Sequence, residues 1–163
     1  MRDQSAPVNV LFLCTGNSAR SILGEALVNG MGAPAFRGYS AGSKPTGTVN
    51  PGAIKVLEAA GYDTRPLASK SWDVFVTGPS IDIVITACDN AAGEACPLFP
   101  GKGMRVHWGI PDPAGAANED VAFARAFDVM RRRVARLIEL PVRRLQPREL
   151  RAALATIRDQ EAY

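Results

Sequence analysis

The stretch Val8-Asn-Val-Leu-Phe-Leu-Cys14-Thr-Gly-Asn-Ser-Ala-Arg20-Ser21 constrains the chain most, because an apolar β-type run empties directly into a loop with Cys-x5-Arg-Ser spacing. Val8 and Val10 to Leu13 form the near-continuous apolar strand expected where a parallel sheet is buried on both faces. From Ser21 onward, Ile22, Leu23, Ala26 and Leu27 recur at helical spacing. Between the two, Gly16 and the small side chains of Thr15, Ser18 and Ala19 let the backbone curl its N–H groups around one centre. The result is an anion nest spanning Thr15, Gly16, Asn17, Ser18, Ala19, Arg20 and Ser21. The helix dipole adds positive potential there, and the planar fork of Arg20 suits a tetrahedral oxyanion. Cys14 sits where that potential favours the nucleophilic thiolate, and Ser21 is placed to donate its hydroxyl to the sulfur. A buried strand-end thiol beside an unrelated surface arginine would explain neither the spacing nor the strand before it.

A chain of 163 residues reads as one domain, 1–163, and a hydrophobic content of 47% supplies its core without staples. No run approaches the ~18 apolar residues of a membrane span. The start Met1-Arg-Asp-Gln-Ser-Ala-Pro7 lacks the apolar centre of a signal peptide, so a cytoplasmic protein with no membrane partner is expected. Three cysteines, Cys14, Cys88 and Cys96, without an export signal point to reactive thiols rather than a structural disulfide framework. A single histidine, His107, and no Cys-x2-Cys pair argue against a zinc site and against a Cys-His hydrolase, so no metal or cofactor is expected. The net charge of +3 is mild, but Arg131, Arg132, Arg133, Arg136, Arg143, Arg144, Arg148, Arg151 and Arg158 crowd the C-terminal third. No aromatic residues are interleaved to stack on bases, so these arginines read as a solvated helix face and no nucleic-acid partner is expected.

Further along, a short second strand is expected over Ala35 to Ser40 after the punctuation of Gly30 and Gly32. Asn50-Pro51 opens a helix that Gly61 closes, with Ile54, Leu57 and Ala60 as its buried stripe. Trp72 to Phe75 reads as a helical turn carrying two core anchors. Strands follow at Ile81 to Thr86 and Met104 to Trp108. A long helix begins near Asn118, carries Phe123, Phe127, Met130, Val134 and Leu137 or Ile138 at steps of three and four, and stops at Pro141. The remainder, 141–163, is a C-terminal helical extension with Leu150, Leu154 and Ile157 on one face. Alternating strands and helices give an α/β fold around a parallel sheet.

Three loops therefore leave strand C-termini, where open α/β sheets bind ligands: the Cys14 loop, the Cys88 segment and the Asp112 loop. Asp112, stiffened between Pro111 and Pro113, can protonate a departing oxygen. Together, Cys14-Thr-Gly-Asn-Ser-Ala-Arg-Ser, Tyr39-Ser-Ala-Gly, Val49-Asn-Pro, Cys88-Asp-Asn to Cys96-Pro and His107-Trp-Gly-Ile-Pro-Asp-Pro-Ala resemble the low-molecular-weight tyrosine phosphatases, and more closely their arsenate reductase branch. The resemblance covers about Val8 to Leu140. It implies a single domain with a central four-stranded parallel sheet flanked by helices in a flavodoxin-like winding.

The resemblance also implies a reaction. Cys14 attacks arsenate in the nest while Asp112 protonates the leaving oxygen, Cys88 then attacks Cys14 and arsenite departs, and Cys96 takes the disulfide over for thioredoxin or another redoxin. Phosphate would compete for the nest. The alternative is a tyrosine phosphatase or other phosphomonoesterase, but Ala114, Gly115, Ala116 and Ala117 follow Asp112-Pro113 where phosphatases carry tyrosines that grip an aromatic substrate. Small residues between Cys88 and Cys96 are expected to let that segment move. Some reductases of this branch hold a potassium ion at positions matching Asn17, Glu25 and Ser40. Lys70 stands here where the family places a carboxylate, implying an ammonium in the ion's place.

Overall fold

The first strand, β1 (Val8–Cys14), is buried at every position, and its alternating side chains feed two separate cores. Val8, Val10 and Phe12 enter one, Leu11 and Leu13 the other. In the computed structural model, which describes residues 5–89 and 98–163, β1 lies inside a four-stranded, wholly parallel sheet of order β2-β1-β3-β4. The other strands are β2 (Phe36–Gly42), β3 (Ile83–Thr86) and β4 (Met104–His107). Cys14 lies beside Gly42, Leu13 beside Thr86 and Thr86 beside His107, so the strands end along one edge of the sheet. β2 continues two residues past the expected Ser40 because it pairs with β1 along its whole length, and β3 starts two residues after the expected Ile81.

Four helices pack on the Val10–Phe12 side. Helix α1 (Arg20–Gly32) passes Gly30 and ends at Gly32, the second of the two glycines expected to punctuate it. One reason for close helix–sheet approach is Gly38 of β2, where an added Cβ would stand 2.7 Å from the Glu25 carbonyl oxygen of α1. In α2 (Pro51–Ala59), Asn50 accepts the Gly52 N–H at 2.8 Å, and Gly61 follows the C-cap with φ +87°, both as expected. The helix is rotated by about one residue from expectation: Ala53 and Leu57 are buried, Ile54 is half-buried and Ala60 is exposed. Helix α3 (Glu119–Leu137) is capped by Asn118, and α4 (Pro147–Gln160) buries Leu150, Leu154 and Ile157 in the same core. On the opposite side the Trp72–Phe75 turn is the cover, with Phe75 edge-on to Tyr39 at 5.4 Å and Trp72 tilted against Phe99 at 6.0 Å.

The C-terminal arginines form the expected solvated face only in part: Arg144, Arg148 and Arg151 are exposed, but others are tied into the fold. Arg133 is only 2% exposed. Arg143 reaches Asp82 at 3.2 Å and the carbonyls of Ala6 and Pro7, and Arg131 and Arg132 pair with Asp128. Among the described residues no helix is long and apolar enough to cross a membrane.

If α4 is part of the core, Leu154→Ala should cost about 2–5 kcal/mol, the usual range for a fully buried leucine. Urea unfolding followed by circular dichroism measures it, and a loss under about 0.5 kcal/mol, the scale of an ordinary surface change, would mean the helix only rests on the surface.

Candidate active site

The chain leaves β1 at Cys14, 5% exposed with a free thiol, and turns through residues 15–19 into α1. Three carbonyls of this loop are held from outside the turn. Thr15 O accepts Lys44 N–H at 2.9 Å, Gly16 O accepts Thr46 N–H at 3.0 Å and Ser18 O accepts Asn50 N–H at 2.8 Å. Because each peptide unit points its N–H opposite to its C=O, this backing turns the amides inward. Those of Gly16, Asn17, Ser18 and Ala19 have no acceptor among the described residues. The first turn of α1 likewise lacks a side-chain cap, since Ala19 occupies the N-cap. Unsatisfied donors around one centre, at the positive end of a helix, are what an oxyanion requires.

Asn17 is the hinge of the curl. It is fully buried with φ 48°, a left-handed conformation that Asn tolerates better than most residues. Its side chain is held at both ends, Oδ1 accepting the Lys70 N–H at 2.9 Å and Nδ2 donating to Ser21 Oγ at 2.8 Å. Ser21 Oγ in turn lies 3.0 Å from Cys14 Sγ. Ser21 Oγ is thus within hydrogen-bond distance of the sulfur while accepting from Asn17, a placement compatible with the donation expected from the sequence. The loop also needs room from β2. A Cβ on Gly42 would stand 2.4 Å from Thr15 O and 3.0 Å from Asn17 N, so only glycine fits beside the nest.

Arg20, 4% exposed, joins the three strand-end loops. Its Nη1 donates to Ala87 O at 3.3 Å, after β3, and to Ile110 O at 3.0 Å, after β4, while Nη2 is 3.7 Å from Asp112 Oδ2. Asp112 is half exposed, its Oδ1 accepting the Ala114 N–H at 3.0 Å in a turn. Cys88 is buried and disulfide-bonded. Ala87 N–H bonds to Leu13 O at 2.8 Å, so Cys88 follows the residue level with Cys14 on the neighbouring chain segment. Cys96, and the segment to residue 95 expected to move, lie outside the described residues.

Beneath the nest, Ser40 Oγ donates to Glu25 Oε1 at 2.5 Å, and Lys70 Nζ lies 3.7 Å from the same oxygen. Nζ also donates to Ser40 O at 3.0 Å and to Ala68 O at 2.7 Å. Glu25 and Ser40 thus meet at the Lys70 ammonium and Asn17 at the Lys70 backbone amide, so the three positions the resemblance named are linked through Lys70. Asn17 Oδ1 is already occupied by the Lys70 amide, and a potassium ion there would meet a fixed positive charge. The set does not fit the ion. The signal missed in the sequence is the outer backing: Lys44, Thr46, Asn50 and Ser69, whose Oγ donates to Gly16 O at 3.1 Å, sit 29 to 53 residues from their partners and act mostly through backbone.

Burial raises the Glu25 carboxyl above its ordinary 4.5, opposed by the Ser40 hydrogen bond and by Lys70. The folded state therefore keeps a proton that the unfolded chain has released. The associated stability is fully present below pH 4.5 and is lost as pH rises through the folded value. Lys70→Met removes an opposing charge and should enlarge that loss. Urea midpoints at pH 5 and pH 8 should diverge more in the variant than in the parent, and equal divergence would show that Lys70 does not compensate Glu25.

Comparison with known proteins agrees with this geometry. The model of the family described as low molecular weight phosphotyrosine protein phosphatase matches residues 9–149. An arsenate reductase of Bacillus cereus (strain 03BB102) is 38% identical over 131 residues, covering 80% of this chain and 94% of the relative. A solved arsenate reductase in a phosphate-binding state superposes with a TM-score of 0.68 at 27% identity, covering 80% of this chain and 96% of the other. The thioredoxin-dependent arsenate reductase of Corynebacterium glutamicum gives 0.60 at 25%, covering 84% and 64%. The chain belongs to the low molecular weight phosphotyrosine protein phosphatase family, and within it these relatives are arsenate reductases.

Proposed function

We propose that this protein reduces arsenate to arsenite through its three cysteines. The observation that carries the reading is a free Cys14 thiol in an amide nest, one chain segment away from a second redox-capable cysteine, Cys88. The names of its relatives support the same substrate.

In the proposed cycle, arsenate sits in the nest of Thr15 to Ser21 beside Arg20. The Cys14 thiolate attacks arsenic as Asp112 gives its proton to the departing oxygen, which leaves as water. Cys88, as thiolate, attacks Cys14 Sγ. The sulfur–arsenic electron pair stays with arsenic, which departs reduced by two electrons as arsenite, and a Cys14–Cys88 disulfide forms. Cys96 attacks Cys88 and releases Cys14. A dithiol redoxin, for which the dependence of the Corynebacterium relative makes thioredoxin the first choice, then reduces the Cys88–Cys96 disulfide. Arsenate and phosphate share the tetrahedral oxyanion shape, so phosphate competes. Phosphorus is not reduced by thiols and would only occupy the nest. The phosphatase alternative is disfavoured by Ala114, Gly115, Ala116 and Ala117, which offer a phenyl ring nothing to stack on.

Arsenate-dependent NADPH oxidation with thioredoxin and thioredoxin reductase tests the proposal. Cys14→Ser should abolish it, and Cys96→Ala should stop after one turnover with a Cys14–Cys88 disulfide recoverable by mass spectrometry. Sustained turnover without Cys14, or arsenate-treated protein with no disulfide among the three cysteines, would overturn the cascade.

A further inference from the structure

Among the described residues β4 is the outer strand of the sheet, so every second carbonyl along it points away from β3 with no described strand to receive it. The outward carbonyls are those of Arg105 and His107 in β4 and of Gly109 two residues beyond it, since Val106 and Trp108 face β3 through Thr86. Each accepts from a guanidinium. Arg151 Nη1 donates to Arg105 O at 3.2 Å, Arg158 Nη1 to His107 O at 3.5 Å and Arg133 Nη1 to Gly109 O at 3.3 Å. Arg151 and Arg158 are seven residues apart, hence on one face of α4. Three arginines thus replace the missing neighbour strand.

The last of the three stands where β4 becomes the acid loop. Arg133 projects from α3, and its Nε donates to Glu161 O at the end of α4 at 3.0 Å, so one side chain clamps α4 to Gly109. Beside it, the fully buried Trp108 donates its indole N–H to Leu154 O at 3.0 Å, a second tie to α4, and the Arg133 guanidinium lies 6.0 Å from its ring. Burial, with Arg158 and Arg132 nearby, lowers Arg133 to about 10, which leaves it charged at neutral pH. A buried cation is costly to keep, and no part of the anion nest requires this one. Three residues past Gly109 comes Asp112, and between them Ile110 O receives Arg20.

We propose that Arg133 is a positioning residue for the proposed general acid, fixing the Gly109–Asp112 loop against α4 so that Asp112 stays over the nest. The inference rests on the reading of Asp112 as that acid. Loss of Arg133 would leave arsenate binding intact, because the nest belongs to β1 and α1, while the loop carrying the proton drifts. Displacements of about 1 Å from distant mutations cost up to about a hundredfold in rate.

The test uses full-length Arg133→Met and Arg133→Lys with single-turnover arsenite release, calorimetric phosphate binding and amide exchange. Arg133→Met should slow release by about ten- to a hundredfold with phosphate affinity within about twofold of the parent, and Arg133→Lys, able to reach only one of the two carbonyls, should fall between. Exchange at residues 109–112 should quicken while residues 15–19 stay unchanged. Asp112→Asn alone should slow release by roughly 10²–10⁴-fold, and Arg133→Met should add little in that background. Wild-type release in Arg133→Met, parallel loss of phosphate affinity, or full additivity with Asp112→Asn would overturn the proposal. An inert Asp112→Asn would instead remove the acid reading, leaving the exchange at 109–112 to judge whether Arg133 holds the loop. If Arg133→Met does not fold, Arg133→Lys carries the test: release slowed severalfold with parental phosphate affinity is expected, and parental kinetics there would overturn the proposal.

Discussion

The site depends on one buried guanidinium. Arg20 leaves the first turn of α1 and bonds the carbonyls that follow β3 and β4, so the loops carrying Cys88 and Asp112 take their positions from a side chain of the helix that the Cys14 loop leads into. Hydrogen bonds from a charged donor are worth about 1.5–3 kcal/mol each, against several kcal/mol for desolvating the charge. Arg20 is therefore weak as a stabiliser by itself and strong as a coordinator. It makes the geometry of three loops a single property.

A half-buried cation, Lys70, supports the nest from its outer side. Lys70 reaches Glu25 and the Ser40 carbonyl, while its backbone amide holds Asn17, the one left-handed residue of the nest. Charge balance and loop shape are thus coupled through one residue. A related economy recurs at the outer strand, where Arg133 and Arg151 donate to the carbonyls of Gly109 and Arg105, and Arg158, paired with Asp159 at 2.9 Å, also reaches the His107 carbonyl.

Much of this was legible in the sequence because it is local. The run into Cys14, the Asn50-Pro51 start, the Asn118 cap and the Leu150–Leu154–Ile157 stripe each follow from neighbours within a few residues. Arg20, Asp112 and Lys70 were legible through a motif and a resemblance. The fate of the C-terminal arginines was not, since a count of charges cannot tell solvent from an unpaired strand edge. A clue existed: Arg133 falls three residues after Met130 and beside Val134, on the apolar stripe of α3. The rotation of α2 was likewise set by packing, with Ala53 turned inward instead of Ile54 and Ala60.

The account stands on the loop from Thr15 to Ser21 being an anion nest that encloses Cys14. The direct measurement is the rate at which iodoacetamide alkylates Cys14, followed by mass spectrometry in phosphate and in chloride of equal ionic strength and pH. An occupied nest shields the sulfur, so alkylation should slow severalfold as phosphate is raised and reach a plateau. A rate indifferent to phosphate would mean that no oxyanion binds over Cys14, and the central claim would be wrong.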